Sequence, residues 1–532
     1  MGGPRRRRRR ARDQAPRCAR RAEGPRRTYP WSRDRAGRSL QLRTGHRRTP
    51  RRGGGGGAMI GAAPVRPPGA ASAALETAAL VHAGLVLVFA SWAFGGNAAW
   101  SREVLCWLGS LGFLLTAAEF LRRVRSPEAS LASYHWLWPL LVFDLLVASS
   151  TLHPSFHSVH VEGADVFLPT AASAALTSAR PSVTWRALWL FNALFIPAFN
   201  LAVSVRRRSR LRALLFVVAA NAVMLAVFGA LQKLSHASGL FFGAVPSPNA
   251  RFFASFIYAN HWGAFATLMV CCWLGLLFHD SAETGRYRDF LHSPAFAGFI
   301  AALILAGAVP LAASRSATLL VALVLLVGLG HAFRRLRRRR SGTSHSSWLI
   351  SFSLLTAAAV GLLGSLYLAK SEILTRSADT REQVAEMRRT SSVGARAQLY
   401  ADTWRMARDR VVFGWGLGSY PTVFVLYNRQ SSKDGLPVYF EDAHSDWLQS
   451  VAEVGVVGSA CRGLLILLPL AALWKGRPRS PLVLYPLGGC AVLLAYAWVE
   501  FPFGNAAVTA AFWFSFFSAV RLAQLEARDR ET

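Results

Sequence analysis

The sequence predicts an all-α, polytopic membrane protein of about 12 transmembrane helices, with a long, partly helical outward loop before the last three spans. Three observations predict it. Apolar residues make up 52% of the chain and charged residues only 17%, against about 25% charged in soluble domains. The formal net charge of +33 is lopsided, because residues 1–57 hold 20 arginines and only three acids, Asp13, Glu23 and Asp34. Beyond them, clusters of basic residues recur after every second apolar run.

The first element, residues 1–58, runs from MGGPRRRRRRARD to the RRGGGGGAMI segment. It lacks apolar periodicity and cannot bury a core. One reading is a disordered basic arm for nucleic acid or anionic lipid. The other is a mis-assigned start, with translation beginning at Met59. Four lysines stand against 57 arginines, a bias that GC-rich coding produces, and upstream text in an open frame then reads as Arg, Gly and Pro. The second reading is adopted, so no nucleic-acid partner is inferred. The arm is no secretory signal, since the first apolar run begins near Leu75.

A span needs about 20 mainly apolar residues. Such runs lie at 75–94, 103–121, 134–150, 185–204, 213–231, 262–279, 294–313, 316–333, 348–369, 449–473, 481–499 and 505–522. Arg122, Arg123 and Arg125 follow the second. Arg206, Arg207, Arg208, Arg210 and Arg212 follow the fourth, Arg334 to Arg340 the eighth, and Lys475, Arg477 and Arg479 the tenth. Positive residues stay in the cytoplasm, so both termini are expected there. The other connectors, with single charges such as Arg102, Arg251 and Arg315, face outward. The domains are then 73–369 (spans one to nine), 370–448 (loop), 449–525 (the last three spans) and 526–532 (cytoplasmic tail).

The loop is too polar to span, and long loops in compact proteins are functional or disordered. In AQLYADTWRMARDR, Leu399, Tyr400, Thr403, Trp404 and Ala407 fall on one helical face, with Asp402, Arg405, Asp409 and Arg410 on the other. The helix suits either a bilayer surface or packing on its own protein. The six cysteines show no CxxC or Cys/His spacing, so neither a disulfide framework nor zinc is indicated.

Candidate chemistry concentrates between Arg396 and Gly458. Gly414, Gly416 and Gly418 form GxGxG, but no strand–helix unit makes it a dinucleotide site. A tight turn where the loop meets the membrane is the better reading. His444 lies where the loop re-enters the bilayer, beside Glu441, Asp442, Ser445 and Asp446. It suits proton transfer or a structural hydrogen bond. The acids around it offer no convincing metal cage. Arg315, between two apolar runs, and Arg396, opening the amphipathic helix, suit a phosphate or diphosphate, because a guanidinium donates in a fork. A snorkelling or solvated arginine is the alternative. Asp144 and Arg462 are intramembrane charges that need partners, and pairing with each other is the hypothesis. Glu119, Glu453 and Glu500 are further acids near spans.

At these residues the sequence resembles the O-antigen ligase and O-antigen polymerase superfamily. The resemblance covers most of Ala73 to Leu525. It rests on the large loop before three final spans, the arginine in SRSA, and arginine then tryptophan before GxGxG. It also rests on His444 with Glu453, Gly455 and Gly458 trailing it. PNARFFASFIYANHWGAFA, with Asn249, Asn260 and His261, is similar to the family's Asn-rich segment. Ser445 departs from the asparagine that often follows the motif histidine. The resemblance implies a glycosyltransferase of the bacterial inner membrane, active at its periplasmic face, that moves a glycan from undecaprenyl diphosphate to an acceptor hydroxyl on lipid A–core or another glycan. It implies no cofactor and no metal. Arg315 and Arg396 would hold the diphosphate. His444 would take the acceptor's proton, with Asp442 or Asp446 orienting or replacing it. The ligase is favoured over the polymerase and over protein O-glycosylation. A secondary transporter of similar span number is the reading from another class. It would show two repeated halves with a long inner link between them, and neither is visible.

Overall fold

The computed structural model describes residues 70–126, 130–170, 175–280, 294–339, 394–431, 438–473 and 478–531. The arm with Met59, the predicted span at 348–369 and loop residues 370–393 lie outside them.

The elements, in order, are α1 (Ala70–Trp92), α2 (Ala99–Val124), α3 (Trp138–Ser150), β1 (Phe156–Val161), β2 (Ala164–Pro169), α4 (Pro181–Ser204) and α5 (Arg208–Leu234). Then come α6 (Ala259–Asp280), α7 (Pro294–Leu311), α8 (Arg315–Arg339), α9 (Ala395–Asp409), α10 (Tyr420–Phe424), α11 (Asp446–Leu473), α12 (Pro481–Tyr496) and α13 (Ala506–Glu531). Eight of them, α1, α2, α4, α5, α6, α8, α11 and α13, are long and apolar enough to cross a membrane. Of the dozen predicted spans, these eight are of that length among the described residues, and the one at 348–369 lies outside them. Three predicted spans are helical but shorter. α7 and α12 start at prolines and contain Pro310 and Pro486. α3 has 13 residues and continues a 3-10 segment, Ala132–Leu137; together they reach roughly 30 Å.

α6 and α13 are buried over 100% of their apolar windows, whereas α8 is buried over only 22%. A helix hydrophobic all round belongs inside a bundle, so α6 and α13 form its centre. Aromatic rings lock α13 to α4, with Trp513 4.8 Å from Phe195 and Phe517 5.8 Å from Phe199. Side-chain amides and hydroxyls tie α2 to α4: Thr116 donates to Asn200 at 2.8 Å, and Asn200 donates to the Gly112 carbonyl at 2.8 Å.

Basic connectors gather at one end of the bundle. Buried Glu119 meets Arg122 at 2.7 Å, Arg123 at 2.8 Å and Arg206 at 3.5 Å. Glu76 accepts from the Arg206 and Arg207 backbone amides at 3.0 and 3.1 Å. Glu119 is therefore a brace at this end. The residues with candidate chemistry lie at the opposite end.

Two features differ from expectation. The fold is not purely α: in the connector after α3, β1 and β2 form an antiparallel hairpin, turned at Glu162 and Gly163 with φ of 48° and 84°. Positive φ at both central residues is the hairpin turn that matches strand twist. The amphipathic helix, α9, packs on its own protein, burying Leu399, Asp402, Thr403, Met406 and Ala407. Its buried stripe is turned one position from the expected one. Trp404 is 50% exposed, and Asp402 is inside because Gln398 donates to it at 2.9 Å and the Arg429 amide at 3.1 Å.

Candidate active site

The site is framed by a break in α11. Gly455 has φ 67° and ψ −174°, a conformation essentially restricted to glycine. The glycine turn after α9 fills the break with backbone hydrogen bonds. Trp415 and Gly416 amides donate to the Ala452 and Glu453 carbonyls at 3.0 and 2.8 Å. Val456 and Val457 amides donate to the Val411 and Val412 carbonyls at 2.8 and 3.2 Å. A Cβ on Gly414 would lie 2.3 Å from the Glu453 carbonyl oxygen, and one on Gly455 2.1 Å from that of Val412. The backbones touch, so both positions exclude side chains. Gly416 closes on Ser178, and Gly418 donates its amide to the Glu453 carboxylate at 2.9 Å. Glu453 also accepts from the Tyr420 amide at 3.2 Å, capping α10. Gly458 lets α11 approach Phe143 of α3. The GxGxG and ExGxxG residues thus form one brace, and the turn's concave side holds helix backbone.

The brace sets the chain that enters α11. Ser445, buried, accepts from the Leu448 amide at 3.4 Å, so the residue in the family's asparagine position is an N-cap. Tyr400 of α9 donates to the His444 carbonyl at 3.0 Å. His444 has φ 52°, and its ring edge meets Phe501 at 4.7 Å. Its Nδ1 has no hydrogen-bond partner among the described residues, and faces Glu500 at 3.8 Å, an ion-pair distance.

Glu500, 2% exposed, is the hub. Arg396 donates to its Oε1 at 2.7 Å and Asn260 at 2.9 Å. Burial pushes this carboxyl up, but the His444 ring and the Arg396 guanidinium outweigh it and hold it below the usual carboxylate range. Asn260 extends the network: Ser314 donates to its Oδ1 at 2.7 Å, and it donates to the Tyr258 hydroxyl at 2.8 Å. Burial and the Glu500 charge push Tyr258 up to about 12. Ser314 and Ser316 bracket Arg315, and Ser316 pairs with Tyr496 at 2.8 Å. Arg396 and His444 are therefore brought to one buried carboxylate, and Arg315 lies at the same end, next to Ser314 of the same network. Exposed Arg102 and Arg251 also act there, on Asp442 and Tyr258 respectively.

The stretch that holds Arg315, Arg396, His444 and the brace, residues 300–462, matches the family model for O-antigen ligase. That stretch is similar to the O-antigen ligase family, and the match covers less than a third of the chain. No curated protein matches it.

Within and beside the matched stretch the acids near His444 separate. Gln449 donates to Asp442 at 3.3 Å, and burial pushes Asp442 up. Asp446 accepts from the Phe503 amide at 2.9 Å, tying α11 to the start of α13. Among the described residues no group of three or more His, Cys, Asp or Glu is placed to hold a metal ion. The expected pairing of Asp144 with Arg462 does not occur. Asp144 accepts from Asn192 at 2.9 Å, while Arg462 donates to Ser450 at 3.2 Å and lies 5.5 Å from the Phe191 ring. Each charge finds a polar group on a facing segment, so neither needs the other. Sequence reading left Glu500 among several acids near spans and missed Tyr258, Ser314 and Tyr496. The available signal for Glu500 was an acid at the end of an apolar run, on the side away from the basic clusters.

Proposed function

We propose that this protein is a ligase-like glycosyltransferase, moving a glycan from undecaprenyl diphosphate to an acceptor hydroxyl such as that of lipid A–core. One observation carries the reading: a buried carboxylate joins an arginine and a histidine beside a second arginine, at the end of the bundle away from the basic connectors. That end is then periplasmic, in the bacterial inner membrane, with both termini cytoplasmic.

The reaction breaks the bond between the anomeric carbon and the diphosphate oxygen and forms one to the acceptor oxygen. Negative charge builds on the departing diphosphate. Arg315 and Arg396 supply the compensating donors, and no metal is required for that role. Arg396 is bound to Glu500, and its side chain is 56% exposed, so an arriving diphosphate competes for it. The acceptor's proton passes to His444. With Nδ1 turned to Glu500, the ring offers Nε2 to the acceptor, and Glu500 stabilises the imidazolium that results. Asp442 and Asp446 are engaged elsewhere, which favours Glu500 as the orienting acid.

The test is a lipopolysaccharide gel from a deletion strain carrying wild-type or His444→Ala protein. Loss of the ladder with polymer accumulating on the lipid carrier supports the ligase. A single-repeat band makes the protein a polymerase. An unchanged ladder rejects both, and full complementation by His444→Ala rejects the assignment of the base.

A further inference from the structure

One face of the β1–β2 hairpin has no partner among the described residues. The register puts His157 opposite Leu168 and Val159 opposite Val166, with Val161 on the same face. Val159, Val161, Val166 and Leu168 are 37–49% exposed, and no Asp, Glu, Lys or Arg lies among them. The opposite face is accounted for. Phe156 is buried in the loop's core, Phe167 lies 4.2 Å under the Arg180 guanidinium, and His160 meets Asp165 at 3.0 Å. A half-covered antiparallel hairpin in water should alternate apolar with polar. This one turns aliphatic residues outward.

Its roots say what covers them. The chain leaves α3 through Leu141, Leu145 and Leu152, which are 65%, 69% and 74% exposed, a stripe that in a bundle of membrane helices faces lipid. Four residues after Leu152 the first strand begins. The hairpin's base is fastened by the Ser155 amide donating to the Ser178 carbonyl at 2.9 Å, three residues before α4 starts. Trp185, in the opening turns of α4, is 51% exposed, as a side chain at a membrane–water boundary is. Both ends of the hairpin thus spring from the level where two membrane helices leave the bilayer. A strand of six residues reaches only about 20 Å, so its aliphatic face stays close to that level.

We propose that this face rests on the bilayer, with Val159, Val161, Val166 and Leu168 sunk in the interfacial zone beside α3 and α4. Ser158, His160 and Asp165 face water. The lipid stripe of α3 continues into the hairpin, which makes the partner lipid and not a second copy of the chain.

The test uses the full chain in nanodiscs of phosphatidylethanolamine and phosphatidylglycerol, with nitroxide labels at Val161→Cys, Val166→Cys and, on the other face, His160→Cys. The described native cysteines are buried, and the unsubstituted chain gives the labelling background. The expected result is an oxygen-to-nickel-chelate accessibility ratio about threefold higher or more at 161 and 166 than at 160. Equal ratios on the two faces overturn the proposal. So does protection at 161 and 166 accompanied by spin–spin broadening that grows with protein per disc, which would mean a second copy. Quenching of a bimane label at the same positions by lipid brominated along its chains is the independent readout. Failure to quench at 161 and 166 also overturns the proposal.

Discussion

Glu500 holds the Arg396 guanidinium with one oxygen and faces the His444 ring with the other, and that division of labour fixes what its loss should do. Replacing it by Gln keeps an oxygen for Arg396 or Asn260 but removes the charge that faces His444 Nδ1. The expected result is a fall in kcat of about 10²-fold with little change in KM, since general-base assistance contributes about 10²–10⁴-fold. A purified transfer assay with a lipid-linked donor reads it. An equal rise in KM with kcat intact would make Glu500 a substrate-binding group instead. The same carboxyl predicts an acid limb in stability. Its pKa is lowered in the fold, so the folded state binds fewer protons than the unfolded state around the carboxylate range. Its stabilisation is full above the unfolded value and lost as pH falls through the lowered one. Glu500→Gln should flatten that part of the melting curve's pH dependence, followed in detergent. Arg315, Arg396 and His444 were legible in the sequence because each is costly or reactive where it stands. Glu500 was not, because its meaning depends on Arg396, 104 positions earlier.

At the scale of elements, the brace between the glycine turn and α11 makes the sharpest claim. Gly455→Ala puts a Cβ 2.1 Å from the Val412 oxygen in a glycine-only conformation. Strain of that kind alone costs about 1–3 kcal/mol, and the clash adds to it. A large fall in melting temperature and in folded yield is expected from size-exclusion of heated samples. A tolerated substitution would mean the break is not held as described. Ser445→Ala should cost about 1 kcal/mol through the lost N-cap, while Ser445→Asn should cost little. The break was invisible in the sequence, where 449–473 reads as one apolar run. The hairpin was missed for a related reason: only Phe156 of its first strand is buried, so no core-facing alternation marks it. The amphipathic period of α9 was legible, but not which face was buried, because Asp402 goes inside on contacts from Gln398 and Arg405 of its own helix and the Arg429 amide of the loop beyond.

For the whole molecule, charge is sorted by end. One end carries arginines around Glu76 and Glu119, and the other carries Arg396 against Glu500. Glu119→Leu leaves three partly buried guanidinium groups without their acid. Breaking a buried pair from one side costs about 3–5 kcal/mol, so a loss of that order is expected in thermal stability without a change in KM. If Arg315 and Arg396 supply the positive charge as proposed, transfer activity survives chelation by EDTA; loss of activity restored by a divalent cation would refute this. The distribution of basic clusters was readable from the sequence as alternation along the chain. The bundle's centre was not, since α6 and α13 are no more apolar than the lipid-facing helices, and only packing distinguishes them.

The stitched break in α11 also bears on how the chain is made. Inside a bilayer, backbone amides and carbonyls must be satisfied within the protein, at a cost of several kcal/mol for each one left bare. At the break, the carbonyls of Ala452 and Glu453 and the amides of Val456 and Val457 are satisfied by residues 411–416. Those residues leave the ribosome before the helix does. The loop that carries Arg396 must therefore fold before the helix after it can settle, and maturation of the span waits on maturation of the site.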